Sequence, residues 1–144
     1  MKIIELKTKP KKIKEFNRKE WELVHPEHFG TRQLYPYWEK KKFLFKAEEK
    51  NQVVGTVEGD YMAGVMYISQ LIVAHDKRGF GIGVQLMNKV EKLAKDNKLH
   101  KIYLHTGTNW KAVKFYEKLG FIKETKLKNH YEHKDFWIMS KSMG

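Results

Sequence analysis

A glycine-rich turn between an apolar segment and an amphipathic segment constrains this chain more than any other feature. Residues 78–83 read Arg-Gly-Phe-Gly-Ile-Gly, and such glycines let the backbone turn sharply and approach a ligand without Cβ clashes. The apolar run Val65–Ala74 before the turn is typical of a strand covered on both faces, and apolar residues after it recur at helical spacing. The pattern therefore predicts a strand–loop–helix unit with free N–H groups at the start of the helix.

This predicted unit has the properties of a phosphate-binding site. Free N–H groups and the positive end of the helix dipole favour phosphate oxygens, and Arg78 can add a charge-assisted contact. Two common phosphate motifs are excluded. The dinucleotide fingerprint GxGxxG fails because Val84 or Leu86 stands where its third glycine is required, and no GxxxxGK[ST] motif is present. The spacing that fits is Arg-x-x-Gly-x-Gly.

The remaining periodicity predicts an α/β fold (α+β, a mixed sheet) with helices on the faces of the sheet. A polar turn joins two strands as a hairpin, and Asn109 is expected to cap the last helix. The segment His25–Trp38 is expected to be broken into short pieces by two prolines and a glycine. In chain order the prediction is a strand over Lys2–Lys7, a helix from Pro10 to about Val24, strands over Phe43–Glu48, Gln52–Tyr61 and Val65–Ala74, a helix from Ile82 to Ala94, a strand over Lys101–Thr106, a helix that stops at Gly120, and strands over Phe121–Lys128 and Asp135–Lys141.

Composition limits the classes of function. The 144 residues, 41% of them hydrophobic, predict a single domain over 1–144, and the absence of cysteine excludes disulfides and a cysteine-bound acyl intermediate. The first residues hold only a short apolar run between lysines, and no apolar stretch approaches the ~18 residues that span a bilayer, so we expect a cytoplasmic protein. The histidines lack metal-ligand spacing and no GxSxG is present, so neither a metal site nor serine hydrolysis is expected.

The chain resembles the GCN5-related N-acetyltransferases, the GNAT superfamily, over about residues 65–122. The turn is similar to that family's pyrophosphate-binding loop, and two further segments match the strand before it and the family's second signature. The three segments occur in the family's order and at its spacing: Ile68-x-x-Leu71-x-Val73, Arg78-x-x-Gly81-x-Gly83 and Asn109-x-x-Ala112-x-x-Phe115-Tyr116-x-x-x-Gly120-Phe121.

The resemblance implies direct transfer of an acetyl group from acetyl-CoA to a primary amine in a ternary complex, on a fold whose central strands splay apart. Tyr116 is expected to act as general acid toward the leaving thiolate, and Asn109, Ala112 and Tyr116 to share one helix face along the CoA chain. Main-chain groups at the end of the third long strand are expected to pair with pantetheine. The expected CoA-binding residues are Leu71, Ile72, Val73, Arg78, Gly79, Phe80, Gly81, Ile82, Gly83, Val84, Asn109, Ala112 and Tyr116.

The sequence leaves several candidates for the base that deprotonates the amine. Many family members carry an acidic residue in the strand entering the loop, whereas this chain has Ser69 and Gln70 there. Glu58, Asp60 and His105 are the other candidates, and a route through water is favoured over His105 because strand histidines are seldom bases.

The acceptor and other partners are also open. The aromatic segment His25–Trp38 is expected to form the acceptor wall, and either a monomer or a homodimer fits. The alternative function is a GNAT-like binding module whose net charge of +12 attracts nucleic acid or an acidic protein. No membrane partner is expected.

Overall fold

A computed structural model of the chain describes residues 1–30 and 37–144, which fall into two compact units, Met1–Glu39 and Lys40–Gly144. In the first unit, helix α1 spans Lys11–Phe29 and ends at Gly30, whose N–H donates to the carbonyl of Pro26 at 2.9 Å. Gly30 adopts a left-handed conformation with φ of 65°, the usual way for glycine to end a helix.

Two predictions for this unit are wrong. The segment Lys2–Lys7 is irregular rather than a strand, and Ile3 is 91% exposed. Alternation of residue types specifies a face, but a strand also needs a partner for its backbone groups, and this segment pairs with none of the described strands. The helix also continues past Val24, because Pro26 lies in its last turns, where a missing N–H removes only one bond. Residues 31–36 of the predicted acceptor wall lie outside the described residues.

The second unit is a six-stranded mixed sheet with two helices. The strand order is β1-β2-β3-β4-β6-β5, in which β3 and β4 are parallel and every other neighbouring pair is antiparallel. The mixed sheet predicted from sequence is thus confirmed, with every strand except the first. The elements are β1 Lys41–Glu49, β2 Gln52–Met62, β3 Val65–Val73, α2 Ile82–Asp96, β4 Lys101–Gly107, α3 Ala112–Lys118, β5 Ile122–Leu127 and β6 Phe136–Ser142, with short 3-10 turns at His75–Lys77 and Tyr131–His133.

The core lies between α2 and one face of the sheet. Helix α2 buries the apolar stripe that its sequence period predicts, including Leu86, Met87 and Val90. Across from it, alternate residues of the central strands are almost fully buried, among them Ile102 and Leu104 of β4. This packing fixes the start of α2 and the ends of β3 and β4, which carry the candidate site.

The core position Leu104 gives the first prediction. Its side chain is 2% exposed, so Leu104→Ala removes buried methyl groups and leaves a cavity, and we expect a loss of about 2–5 kcal/mol in the free energy of unfolding. The matched control is Leu44→Ala on β1, where the leucine is 65% exposed and we expect a change within about 0.5 kcal/mol. Urea unfolding of the two variants measures both effects, and equal losses would contradict this assignment of the core.

Candidate active site

The strands β3 and β4 diverge halfway along their length. Their parallel pairing runs from Val65 opposite Lys101 to Ile68 opposite Leu104, whereas the strands continue to Val73 and Gly107. Beyond the last pair, β3 is bonded only to β2 on its other edge. Main-chain groups on the β4 side of β3 are therefore available to an extended ligand, as an added strand would use them.

The second half of β3 is less buried than its apolar sequence predicts. Ser69 and Gln70 are exposed, and Ile72 is 51% exposed, so the expectation of cover on both faces is wrong for this half. The physical reason is the divergence, which removes the neighbouring strand from one side. A bulge lies at the same point, where Ser69 is skipped in the β2–β3 register and its Oγ donates to the carbonyl of Glu58 at 3.1 Å.

The glycine turn leads from β3 into α2 as the sequence predicts. Gly79 and Gly81 have φ values of +85° and +83°, and a Cβ at either position would meet no atom within 4 Å. The first N–H that bonds into the helix is that of Gln85, to the carbonyl of Gly81 at 3.0 Å. The N–H groups of residues 82–84 are thus left at the helix start, beside open space that two glycines keep clear.

Arg78 and Gly83 hold this turn in place. The Nε atom of Arg78 donates to the carbonyl of Val73 at 3.2 Å, which ties the turn to the end of β3 and leaves the rest of an exposed guanidinium available. Gly83 has a packing role, because a Cβ there would lie 3.2 Å from Cζ of Phe115 on α3. The third glycine therefore lets α2 and α3 approach, whereas the first two provide the turn.

The second signature begins differently from the prediction. Helix α3 starts at Ala112 after Lys111, which makes no side-chain cap bond, and Asn109 is exposed in the preceding turn. Asn109 is therefore not the helix cap and does not share a helical face with Ala112 and Tyr116. The indole of Trp110 lies so close to Gly107 that a Cβ there would be 2.5 Å from it, and the N–H of Trp110 donates to the carbonyl of Gly107 at 3.1 Å in the turn before the helix.

Tyr116 of α3 is buried in the core. Its relative exposure is 7%, and its ring lies 5.2 Å from that of Phe115 and 5.6 Å from that of Phe121 between centroids. Burial raises the pKa of its phenol to about 12. The group stays protonated at every ordinary pH and can donate a hydrogen bond.

His105 lies on β4 just past the last residue pair of β3 and β4, within a group of aromatic rings. The ring centroid of Tyr67 on β3 lies 5.4 Å away, that of Tyr103 on β4 6.3 Å, and those of His130 and Tyr131 lie at 5.6 and 6.1 Å. Burial, and secondarily the charge of His130, lower the pKa of His105 below its usual value of 6.5. His105 is consequently neutral at pH 7, the state in which it accepts a proton.

Sequence reasoning missed the neighbours of His105. Tyr67 and Tyr103 are a directly opposed pair on β3 and β4, with ring centroids 4.9 Å apart, and His105 two residues later shares their face. That parity was readable from the sequence. His130 and Tyr131 come from the β5–β6 connection, and nothing in their local pattern indicates that this connection reaches β4.

Two carboxylates considered as bases lie on the same face of β2. Glu58 and Asp60 line a cavity of about 430 Å³, and Ser69 of the bulge lies at its wall. Asp60 also contributes to raising the pKa of Tyr67 and Tyr103, although burial is the larger cause for both.

A second cavity of about 460 Å³ lies at the end of β4, lined by Gly107, Thr108, Asn109, Trp110, His133, Lys134 and Asp135.

Two kinds of feature are absent from the described part of the chain, a cluster of metal-ligand side chains and a helix able to span a membrane. Among residues 1–30 and 37–144, no three histidine, cysteine or carboxylate side chains come together as a metal site would require. Every helix within these ranges is too short or too polar to traverse a bilayer.

A glycine turn at a helix start, beside the point where two parallel strands diverge, is the architecture of an acyl-CoA-type acetyltransferase. Residues 11–121 match the model of the Acetyltransferase (GNAT) family, and the chain belongs to that family.

Relatives and solved structures agree with this membership. N-alpha-acetyltransferase 50 of Danio rerio is 39% identical over 84 residues, which cover 54% of this chain and 49% of that protein. An acetyltransferase from Bacillus cereus has a similar fold, with a TM-score of 0.72 at 20% identity over 98% of this chain and 97% of the other. A GNAT acetyltransferase from Elizabethkingia anophelis with acetyl-CoA bound also has a similar fold, with a TM-score of 0.64 at 22% identity over 69% of this chain and 74% of the other. The chain spans 38% to 51% of the length of the curated relatives it matches.

Proposed function

We propose that this protein is an acetyl-CoA-dependent N-acetyltransferase that acetylates a primary amine by direct attack in a ternary complex. The observation that carries the proposal is the glycine turn, open at Gly79 and Gly81, beside the point where β3 and β4 part. The acceptor is a small molecule, a peptide N-terminus or a lysine side chain. The name of the Danio rerio relative, an N-alpha-acetyltransferase, supports a peptide N-terminus as the acceptor.

The residues around the divergence fit the parts of acetyl-CoA. The turn offers N–H groups and a partly free Arg78 to a pyrophosphate, and the unpaired edge of β3 offers main-chain groups to the amide-bearing arm. The exposed apolar side chains of Ile72, Phe80 and Val84 add contact area at the same place. The residues proposed to bind CoA are Leu71, Ile72, Val73, Arg78, Gly79, Phe80, Gly81, Ile82, Gly83, Val84, Asn109, Ala112 and Tyr116.

Tyr116 is proposed to assist departure of the thiolate. A phenol with a pKa of about 12 is a weaker acid than a thiol, whose usual pKa is ~8.5, so complete proton transfer to the free thiolate is unfavourable. A hydrogen bond that strengthens as negative charge develops on sulfur is favourable, particularly where burial excludes water. We therefore assign Tyr116 as a hydrogen-bond donor to the departing sulfur, a role in which the phenol keeps its proton.

His105 is proposed as the base, in preference to the route through water that the sequence favours. It is neutral at pH 7, lies beside the divergence of β3 and β4, and packs against the rings of Tyr67 and His130. An ammonium with a pKa near ~10 must lose a proton before or during attack, and a neutral imidazole can accept it.

The function is tested by thiol release from acetyl-CoA against a panel of amines, including peptides with free N-termini and polyamines. Release that depends on the amine and yields the acetylated product by mass spectrometry supports the proposal. The competing binding module rests on the net charge of +12, and it predicts salt-dependent binding to nucleic acid without any thiol release. A gel shift in parallel with the thiol assay separates the two functions.

The pH dependence of kcat/KM gives a prediction for His105. Burial lowers the pKa of His105 below its usual value of 6.5, and on the acid side of this lowered pKa the ring is already protonated and cannot act as a base, so kcat/KM should fall there. His105→Ala should remove this limb and lower kcat/KM by ~10²–10⁴. His100→Ala, at an exposed histidine before β4, is the control and should keep the limb. If kcat/KM instead rises toward the pKa of the amine in the same way in both variants, water is favoured as the base.

A further inference from the structure

Two imidazole nitrogens near the divergence of β3 and β4 are buried without partners. Nδ1 of His105 and Nε2 of His130 form no hydrogen bond within the described residues, and neither reaches solvent. The two rings meet edge to face, with centroids 5.6 Å apart. A buried polar atom without a partner is costly and rare in folded proteins, so two of them on adjoining rings point to a shared purpose.

The surroundings of this pair contain few other groups that could satisfy these nitrogens. Around His105, the titratable neighbours are Tyr67 of β3, Tyr103 of its own strand and Tyr131 of the β5–β6 connection, and Asp60 of β2 acts on both strand tyrosines. Around His130, the neighbouring rings are those of Tyr131 and Phe136. His133 of the same connection is engaged instead with Oδ1 of Asn129 at 2.9 Å.

We propose that His130 is a proton-relay residue that carries the proton of the acceptor amine from His105 toward solvent. The inference rests on the proposed function, in which His105 is the base. The relay requires one bridging water, or a small rotation of either ring, to join Nδ1 of His105 to Nε2 of His130.

The relay moves one proton for each acetyl transfer. The N–H bond of the amine breaks as Nε2 of His105 gains a proton, and Nδ1–H of His105 breaks as Nε2 of His130 gains one. His130 then loses a proton from Nδ1 to water, and exchange with water restores the starting tautomers. Neither of His130's steps needs an oxidant or a further reactant, and only one imidazolium exists at a time, which avoids two like charges on adjoining rings.

The relay predicts a specific response to His130→Phe. Phenylalanine keeps the aromatic ring and the burial of His105 but removes the nitrogens, so kcat should fall on the order of 10-fold at low buffer concentration, a part of the usual ~10²–10⁴ of acid–base catalysis. Added imidazole should restore the rate of the smaller variant His130→Ala, because that variant leaves space in which imidazole can accept the proton in place of His130. KM for acetyl-CoA should not change. Because the charge of His130 is one cause of the lowered pKa of His105, the acid limb should also move to higher pH.

The control is His133→Asn, which removes the other histidine of the same connection. His133 has a φ of 58°, a conformation that asparagine tolerates, and this variant should keep the wild-type rate and limb. NMR titration of the imidazoles gives a second readout that does not depend on turnover: the pKa of His105 should rise in His130→Phe and stay unchanged in His133→Asn.

The outcomes separate the relay from the function beneath it. If the wild type releases thiol only when an amine is present, but His130→Phe keeps the wild-type kcat and the acid limb of the pH profile, the relay is wrong and the proposed function stands. A loss of kcat in His130→Ala that imidazole does not restore, with a raised KM for the amine, shows that His130 contacts the acceptor and also overturns the relay. No thiol release by the wild type with any amine overturns both proposals, and an unshifted His105 titration in His130→Phe overturns the coupling of the pair whatever the activity.

Discussion

The variant Tyr116→Phe should lose between ~10² and 10⁴ in kcat while its affinity for CoA stays near that of the wild type. Only the hydroxyl is removed, and the ring keeps its contacts with Phe115 and Phe121. If the hydroxyl acts only as charge develops on sulfur, its loss affects the transition state and not the ground state, so kcat and kcat/KM should fall together. The lower part of the range is more consistent with a phenol whose pKa is about 12.

Steady-state thiol release, together with calorimetric titration of CoA, measures both quantities. Tyr61→Phe is the matched control, because that tyrosine of β2 is also packed against the core and should keep full activity. Thermal unfolding should show that both variants stay folded. Wild-type turnover in Tyr116→Phe, under conditions where chemistry limits the rate, would remove Tyr116 from the mechanism.

The local parts of the fold follow from the sequence because their signals are local. The apolar period that predicts α2 is set by residues three and four apart, and the strand–glycine–helix order specifies the turn at Gly79 and Gly81. The hairpin of β1 and β2 is likewise specified by alternation on both sides of a polar turn. In each case the residues whose sequence pattern predicts the element are the residues that form its backbone bonds and its packing contacts.

Other parts depend on what comes to lie beside a segment, and these could not be predicted. The alternating segment Lys2–Lys7 has the composition of a strand and lacks a pairing partner. Asn109 has the residue type of a helix cap, but it lies in a turn in which the N–H of Trp110 donates to the carbonyl of Gly107, and the helix begins only at Ala112.

The environment of His105 was similarly hidden from sequence reasoning. It is set by an edge connection that the chain reaches only after two further elements, so His130 could not be assigned to it. Tertiary contact, rather than propensity, decides the surroundings of a base, and the rings of His130 and Tyr131 reach His105 only through such contact.

The variant Gly81→Val should weaken CoA binding at least ~100-fold. Gly81 precedes the first residue of α2, and a Cβ there would enter the open space that the free N–H groups face. A branched side chain would block phosphate from these donors, and each hydrogen bond to a charged group contributes about 1.5–3 kcal/mol, so loss of two is sufficient for this effect. The φ of +83° also strains any residue other than glycine, so some loss of stability is expected.

Strain and blocking are separated by a second glycine with a similar backbone. Gly120 has a φ of +92° and follows α3, with only the flexible end of Lys141 near its would-be Cβ, so Gly120→Ala carries comparable strain away from the turn. Gly81→Ala should weaken CoA binding less than Gly81→Val, because its smaller side chain blocks less, and Gly120→Ala should leave the affinity unchanged. Calorimetry with CoA on variants shown to be folded measures the series. Equal affinities in Gly81→Val and the wild type would mean that the phosphates bind elsewhere.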